Sequence, residues 1–163
     1  MKLTKHPLML TGGPAMSAAP VDQAVLRKLE LSFEILAQHA DAFTKGFYDR
    51  LFTAAPHFRA MFPADMGPQR EKLFGSLRQT VAFLRQPDKE LQHLSGLGAR
   101  HHAYGAKPEH YPLVVKAMVD AMADACGPAW NPDLTAEWTQ ALRLVSDLML
   151  KQPGGAAAGT KTA

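Results

Sequence analysis

Apolar residues recur at helical spacing along most of the chain. Between residues 25 and 51 they follow one another in steps of three or four, which predicts two consecutive amphipathic helices. These apolar positions are Val25, Leu29, Phe33, Leu36, Ala40, Phe43, Phe47 and Leu51. The second helix should end at Ala55-Pro56, because a proline disfavours helical geometry in the residue before it. No segment shows the strict alternation of a half-buried strand, so the pattern predicts an all-α domain.

Prolines mark the points where new apolar runs begin. Pro56, Pro68, Pro108 and Pro132 each precede such a run, and the fixed φ of proline suits the first turn of a helix. One run extends from Pro68 to the residues before Pro87, and the next opens near Asp88 and is closed by Gly105. Two further runs follow. The first carries Tyr111, Val114, Met118 and Met122, and the second carries Leu134, Trp138, Leu142, Val145 and Met149. About seven helices are predicted. Their number and unequal lengths favour helices that cross steeply around a pocket over a simple four-helix bundle.

Both ends of the chain lack this periodicity. Residues 1–20 and 153–163 are rich in Gly, Pro and Ala, which predicts disordered tails on either side of one domain spanning residues 21–152. The total of 163 residues is enough for one ordinary core. Lys2 and Lys5 precede only three consecutive apolar residues, too few for the core of a signal peptide. A cytoplasmic location is therefore expected.

Composition excludes several classes of protein. The net charge of +3 comes from 18 basic and 15 acidic residues spread along the chain, which is not the pattern of a nucleic-acid binder. No apolar stretch approaches the roughly 20 residues of a transmembrane helix, so no membrane span is expected. The lone Cys126 excludes a disulfide framework and fits a reducing compartment.

His101 occupies an inward position in the series Leu94, Leu97, His101, Tyr104, where a helical core normally carries an aliphatic residue. One interpretation is a core histidine bonded to a backbone carbonyl or a tyrosine hydroxyl; the other is an axial ligand of a metal or haem. Zinc is disfavoured because the other six histidines are scattered and form no HxxxH or HExxH pair. A haem needs one axial nitrogen and an apolar slot, which eight Phe and eight Met residues are available to line.

A family resemblance rests on five segments: FYDRLF (47–52), PHFRAMF (56–62), QREKLF (69–74), RHHAYGAKPEHYPLV (100–114) and AEWTQAL (136–142). In this order they resemble the single-domain, flavohaemoglobin-like bacterial haemoglobins over residues 22–150. The resemblance implies a globin fold, haem b as cofactor, and binding of the small gases O2, NO and CO.

The same resemblance implies roles for individual residues. His101 becomes the proximal ligand of the haem iron, while Tyr48 and Gln69 become the distal pair that acts on the bound gas. Hydrogen-bond donors aimed at bound dioxygen stabilise the negative charge that develops on it. Cofactor contacts are implied for Phe62, Leu73, Leu97, Arg100, Tyr111, Val114 and Leu142, with Arg100 beside a haem propionate. Plain core packing is the alternative for Phe62 and Leu73, and a solvated guanidinium is the alternative for Arg100.

Two departures from the family pattern concern the proximal side. In enzymatic members, a tyrosine and a glutamate brace the proximal histidine. Tyr111 matches that tyrosine, but Pro153 aligns with the glutamate. Leu142 replaces another tyrosine that is frequent in the family. Without that carboxylate, strong peroxidase-like activation is not expected.

The sequence also carries no Gly-rich phosphate loop, so turnover is expected to need a separate reductase. Three function classes remain open: an oxygen-binding protein, an NO dioxygenase, and a globin-fold sensor or interaction module. The assembly is expected to be a monomer or a homodimer, without nucleic acid or membrane.

Overall fold

The computed structural model describes residues 21–151, and these residues form six α-helices and two short 3-10 helices with no strand among them. The α-helices are α1 (Gln23–Ala37), α2 (Ala40–Ala54), α3 (Gly67–Arg85), α4 (Pro87–Ala103), α5 (His110–Cys126) and α6 (Pro132–Lys151). The 3-10 helices are Pro56–Met61 and Gly127–Ala129. The all-α prediction is confirmed. The two predicted tails lie outside the described residues, and so does residue 152, the last position of the predicted domain.

Most of the predicted helix boundaries agree with the structure. Pro56 begins a 3-10 helix, Pro68 is the second residue of α3, and Pro132 is the first residue of α6. Pro108 differs, because α5 begins two residues later at His110. The segment before α5 forms a turn in which the His110 amide donates to the Lys107 carbonyl at 2.9 Å. Within residues 21–151, no helix is both long and apolar enough to cross a membrane.

The core lies where α6 packs against α4 and α5, and where α2 packs against α5. Trp138 of α6 is fully buried, and its indole Nε1 donates to Ser32 Oγ of α1 at 2.9 Å. The Ser32 hydroxyl in turn donates to the Leu29 carbonyl at 2.9 Å. Since a buried indole N–H needs an acceptor, this pair of bonds fixes α1 against α6.

Helix α4 is held against α6 through a glycine. Its buried residues are Leu94 and Gly98. A Cβ atom at Gly98 would lie 2.8 Å from the Met149 carbonyl oxygen and 3.1 Å from the Met149 Cα. The backbones of the two helices therefore approach so closely that position 98 has no room for a side chain.

This contact predicts opposite effects of the same substitution at two glycines of α4. Gly98→Ala should lower the free energy of unfolding by about 1–3 kcal/mol, because the Met149 backbone has to move. Gly96→Ala is the control: its Cβ would meet only the end of the Arg100 side chain, at 3.4 Å. Better helix propensity should raise the stability of that variant by up to about 1 kcal/mol. Urea unfolding followed by circular dichroism measures both, and equal stability of the two variants would contradict the packing.

Candidate functional site

Tyr48 lies on the buried side of α2, surrounded by aromatic rings. The centroid of its ring is 4.8 Å from that of Phe47, 5.7 Å from that of Phe52 and 5.5 Å from that of Phe62. Phe62 follows the first 3-10 helix in an extended conformation. The 3-10 helix therefore ends at the point where Phe62 packs back onto α2. This packing brings together Tyr48 and Phe62, which belong to separate sequence motifs.

Gln69 joins this group from the first turn of α3. Its Nε2 donates to the Tyr48 hydroxyl oxygen at 3.3 Å, across 21 residues of sequence. Burial raises the pKa of Tyr48, while the hydrogen bond from Gln69 opposes this shift in part. The phenol therefore stays protonated at neutral pH. Because its oxygen accepts from Gln69, the hydroxyl proton remains available to donate to another partner.

The position of Gln69 depends on polar contacts that the sequence analysis did not identify. The next residue, Arg70, donates from Nε to Thr44 Oγ1 at 3.0 Å and forms an ion pair with Asp41. These contacts tie the start of α3 to α2. Thr44 could have indicated these contacts. It follows apolar Phe43 in α2, and both residues are buried. A buried hydroxyl at such a position indicates a polar partner from another element.

His101 lies in the last turn of α4, with its ring partly buried. Its Nδ1 lies 2.8 Å from the Leu97 carbonyl oxygen, which fits the tautomer that carries its proton on Nδ1. Burial lowers the pKa of His101, the bond to Leu97 opposes this shift, and the charge of Arg100 adds to it. The imidazole is therefore neutral at physiological pH. Its Nε2, which has no hydrogen-bond partner among residues 21–151, keeps a free lone pair.

Tyr111 of α5 accompanies His101, with ring centroids 6.3 Å apart. Burial raises the pKa of its hydroxyl. Leu97 supplies the carbonyl that orients the imidazole, as described above. The predicted site residues thus form two groups in the structure: Tyr48, Gln69 and Phe62 make up one, and His101, Leu97 and Tyr111 make up the other.

The remaining predicted site residues differ in their burial. Leu73 and Val114 are partly buried against the core, and Leu142 is buried. Arg100 is exposed, and it pairs with no carboxylate within the described part of the chain. No side-chain hydrogen bond or ion pair within residues 21–151 joins these four to Tyr48 or His101, so their roles stay predictions.

The residues present fit a haem. His101 offers one free imidazole nitrogen, while the described residues contain no group of three His, Cys, Asp or Glu side chains that would hold a bare metal ion. The large apolar side chains around the two groups stay only partly buried, in contrast to fully buried Trp138. These partly buried side chains are Phe62, Leu73, Leu97, Tyr111 and Val114. Such apolar surface beside one neutral histidine suits a flat apolar cofactor with a single axial ligand.

An all-α domain with one neutral histidine beside partly buried apolar side chains is typical of a haem-binding protein. The chain belongs to the globin family, since the family model for globin matches residues 45–149. Haem is accordingly the cofactor of this domain, and the predicted resemblance to haemoglobins is confirmed.

Individual relatives agree with this assignment. The flavohemoprotein of Halalkalibacterium halodurans is 28% identical over 139 residues, which cover 83% of this chain and 34% of the relative. This chain therefore spans about a third of the length of the curated relatives it matches.

Two solved structures share the fold. One is an engineered carbene transferase made from a putative nitric oxide dioxygenase of Rhodothermus marinus, with 24% identity, a TM-score of 0.69, and coverage of 84% of this chain and 94% of that one. The other is a flavohemoglobin from Malassezia yamatoensis with bound FAD and heme, with 24% identity, a TM-score of 0.70, and coverage of 80% and 36%.

Proposed function

We propose that this globin domain binds dioxygen at a haem b held by His101, and that it oxidises nitric oxide to nitrate with electrons from a separate reductase. The observation that carries the proposal is the buried Tyr48 hydroxyl, which accepts from Gln69 and keeps its own proton for a second partner. Two comparisons support the proposal. The curated relatives are flavohemoproteins, and one structural neighbour was engineered from a putative nitric oxide dioxygenase.

Tyr48 and Gln69 are proposed as the groups that act on the bound gas. Both are set in place before a gas arrives, because aromatic rings enclose Tyr48 and the contacts of Arg70 hold the start of α3. A donor that is already oriented stabilises developing negative charge without reorganisation. Phe62 and Leu73 are proposed to exclude water on this side, which strengthens such hydrogen bonds.

In the second group of site residues, His101 is proposed as the iron ligand. The Leu97 carbonyl fixes its tautomer and its ring orientation. Leu97, Tyr111, Val114 and Leu142 are proposed to line the proximal face, with Arg100 beside a propionate. When bound, haem supplies a ferrous iron, so that one electron and both atoms of dioxygen pass to nitric oxide, giving nitrate and ferric iron.

The proximal side favours gas binding over peroxide activation. All fifteen Asp and Glu residues of the sequence lie between residues 22 and 147, within the described residues, and none of them bonds to His101. The bond that Nδ1 makes is to a neutral carbonyl, which increases the basicity of the imidazole less than a carboxylate does. Cleavage of an oxygen–oxygen bond, which needs strong electron donation, is therefore not proposed.

A single-turnover experiment tests the proposal. The ferrous, oxygen-loaded protein is mixed with one equivalent of nitric oxide in a stopped-flow spectrometer, and the nitrate is quantified afterwards. We expect rapid conversion to the ferric spectrum with one nitrate formed for each nitric oxide consumed, because the reaction needs little beyond confinement of two small molecules. Repeated turnover should require an added reductase.

Two results would count against the enzymatic function. Nitric oxide that survives contact with the oxygen-loaded protein would leave oxygen binding as the function. The same conclusion would follow if turnover stayed negligible although dithionite pulses returned the iron to the ferrous state between additions.

A further inference from the structure

Two large apolar side chains on neighbouring segments are exposed. Met61, in the first 3-10 helix, is 42% exposed, and Tyr104, directly after α4, is 69% exposed. The methyl group of Met61 lies 3.9 Å from the place where a Cβ on Gly105 would stand. Gly105 has a φ of +89°, which L side chains rarely adopt, and it turns the chain so that the end of α4 meets the 3-10 helix.

A second contact holds these segments together. The ring centroid of Phe58 lies 4.6 Å from that of His110, at the start of α5. Phe58 is buried, so the 3-10 helix is anchored beside the turn between α4 and α5. We call the exposed surface formed by Met61, Tyr104, Gly105 and Lys107 the rim patch. Phe62 follows Met61 directly, and His101 precedes Tyr104 by three residues, so the patch adjoins both groups of site residues along the chain.

The two segments that carry the rim patch are basic. Segments 56–64 and 100–108 contain Arg59, Arg100 and Lys107 but no Asp or Glu, and Asp65 and Glu109 adjoin them. Arg59 and Lys107 pair with no carboxylate among residues 21–151, whereas Arg100 is the residue proposed above to lie beside a haem propionate. The Arg59 guanidinium donates instead to the carbonyls of Phe62, Pro63 and Ala64. The Arg59 charge therefore forms no salt bridge within residues 21–151.

We propose that the rim patch is the docking surface for an acidic electron-transfer protein that carries a flavin or an iron–sulfur cluster. This inference rests on the proposed function, which needs a separate reductant. In the complex one electron passes from the reduced flavin or cluster to the ferric haem iron, and no bond is made or broken at the patch. Exposed Met61 and Tyr104, on segments whose Arg59 and Lys107 form no salt bridge among residues 21–151, match a partner with an apolar centre and an acidic border. A second copy of this chain is disfavoured because the two basic patches would repel each other.

The experiment uses the haem-loaded ferric protein and an acidic flavodoxin in its reduced form, mixed without oxygen. Lys107→Glu should lower the second-order rate constant of haem reduction about tenfold at low salt, since steering by charge governs such encounters. The loss should largely disappear at 1 M salt, where the screening length falls to about 3 Å. Lys89→Glu, which makes the same charge change near the other end of α4, is the matched control and should react like the unmodified protein.

A further variant tests the apolar part of the patch. Tyr104→Ser should weaken binding of oxidised flavodoxin, measured by calorimetry, several-fold at both salt concentrations, because lost apolar contact is not screened. Reduction by dithionite and single-turnover nitrate formation should be unchanged in all variants, so failure of this proposal is distinguishable from failure of the proposed function.

Three outcomes would overturn the assignment. Lys107→Glu and Lys89→Glu could slow reduction equally, which would indicate only net charge. The Lys107 variant could lose haem faster than the unmodified protein, which would assign the cation to the cofactor. Vesicles with anionic lipid could bind the protein through Lys107 and Tyr104 more tightly than flavodoxin does, which would make the patch a membrane contact.

Discussion

His101→Ala should abolish high-affinity haem binding, whereas His102→Ala should leave it intact. The two residues are adjacent in α4, but a step of one residue turns a helix by about 100°. His101 is partly buried and oriented by the Leu97 carbonyl, while His102 is exposed. Titration of each apoprotein with haem, followed by absorption spectroscopy, measures the difference.

A second readout separates loss of the ligand from loss of the fold. Far-ultraviolet circular dichroism should show that the His101 variant remains helical. A His101→Gly variant should regain a haem spectrum when free imidazole is added, because the small ligand takes the place of the missing side chain. Loss of haem from the His102 variant instead, or stoichiometric haem in the His101 variant, would show that another group holds the iron.

Tyr48→Phe should accelerate dissociation of oxygen roughly tenfold to a hundredfold. A hydrogen bond to a charged group contributes about 1.5–3 kcal/mol, and each 1.4 kcal/mol corresponds to a factor of ten. The association rate should change little, because the donor acts on a gas that has already bound. Stopped-flow displacement of oxygen by carbon monoxide measures the dissociation rate directly.

Tyr104→Phe is the matched control for this prediction. It removes the same hydroxyl group from a side chain that is 69% exposed, so oxygen dissociation should be unchanged. An unaltered rate in the Tyr48 variant would mean that Gln69 or a water molecule donates to the gas, and that the Tyr48 hydroxyl serves only to position Gln69.

Much of the fold can be predicted from the sequence, because the spacing of apolar residues indicates helices directly. The stripe from Val25 to Leu51 predicts α1 and α2, and His101 stands out as the polar residue on an apolar stripe. The prediction that Pro108 begins a helix is wrong, since residues 104–109 connect α4 to α5, which begins at His110. The 3-10 helix Gly127–Ala129 is too short to show any period.

Contacts between distant residues could not be predicted in the same way. The bond between Gln69 and Tyr48 depends on how α3 lies against α2, which Arg70, Asp41 and Thr44 decide together. The approach of Gly98 to Met149 joins positions 51 residues apart, and a glycine within a helical pattern does not reveal its partner. Family resemblance assigned roles to Tyr48 and Gln69, but their mutual contact is visible only in three dimensions.

The small buried surface of α4 links cofactor capture to the folding of the domain. Leu94 and Gly98 are its buried residues, whereas α3 buries five side chains, so few apolar contacts oppose local opening of the helix that carries His101. A ligand that binds only the closed form shifts such an opening equilibrium by mass action. If haem is held by His101 only when α4 is in place, the concentration of free haem sets how much of the protein has that helix closed.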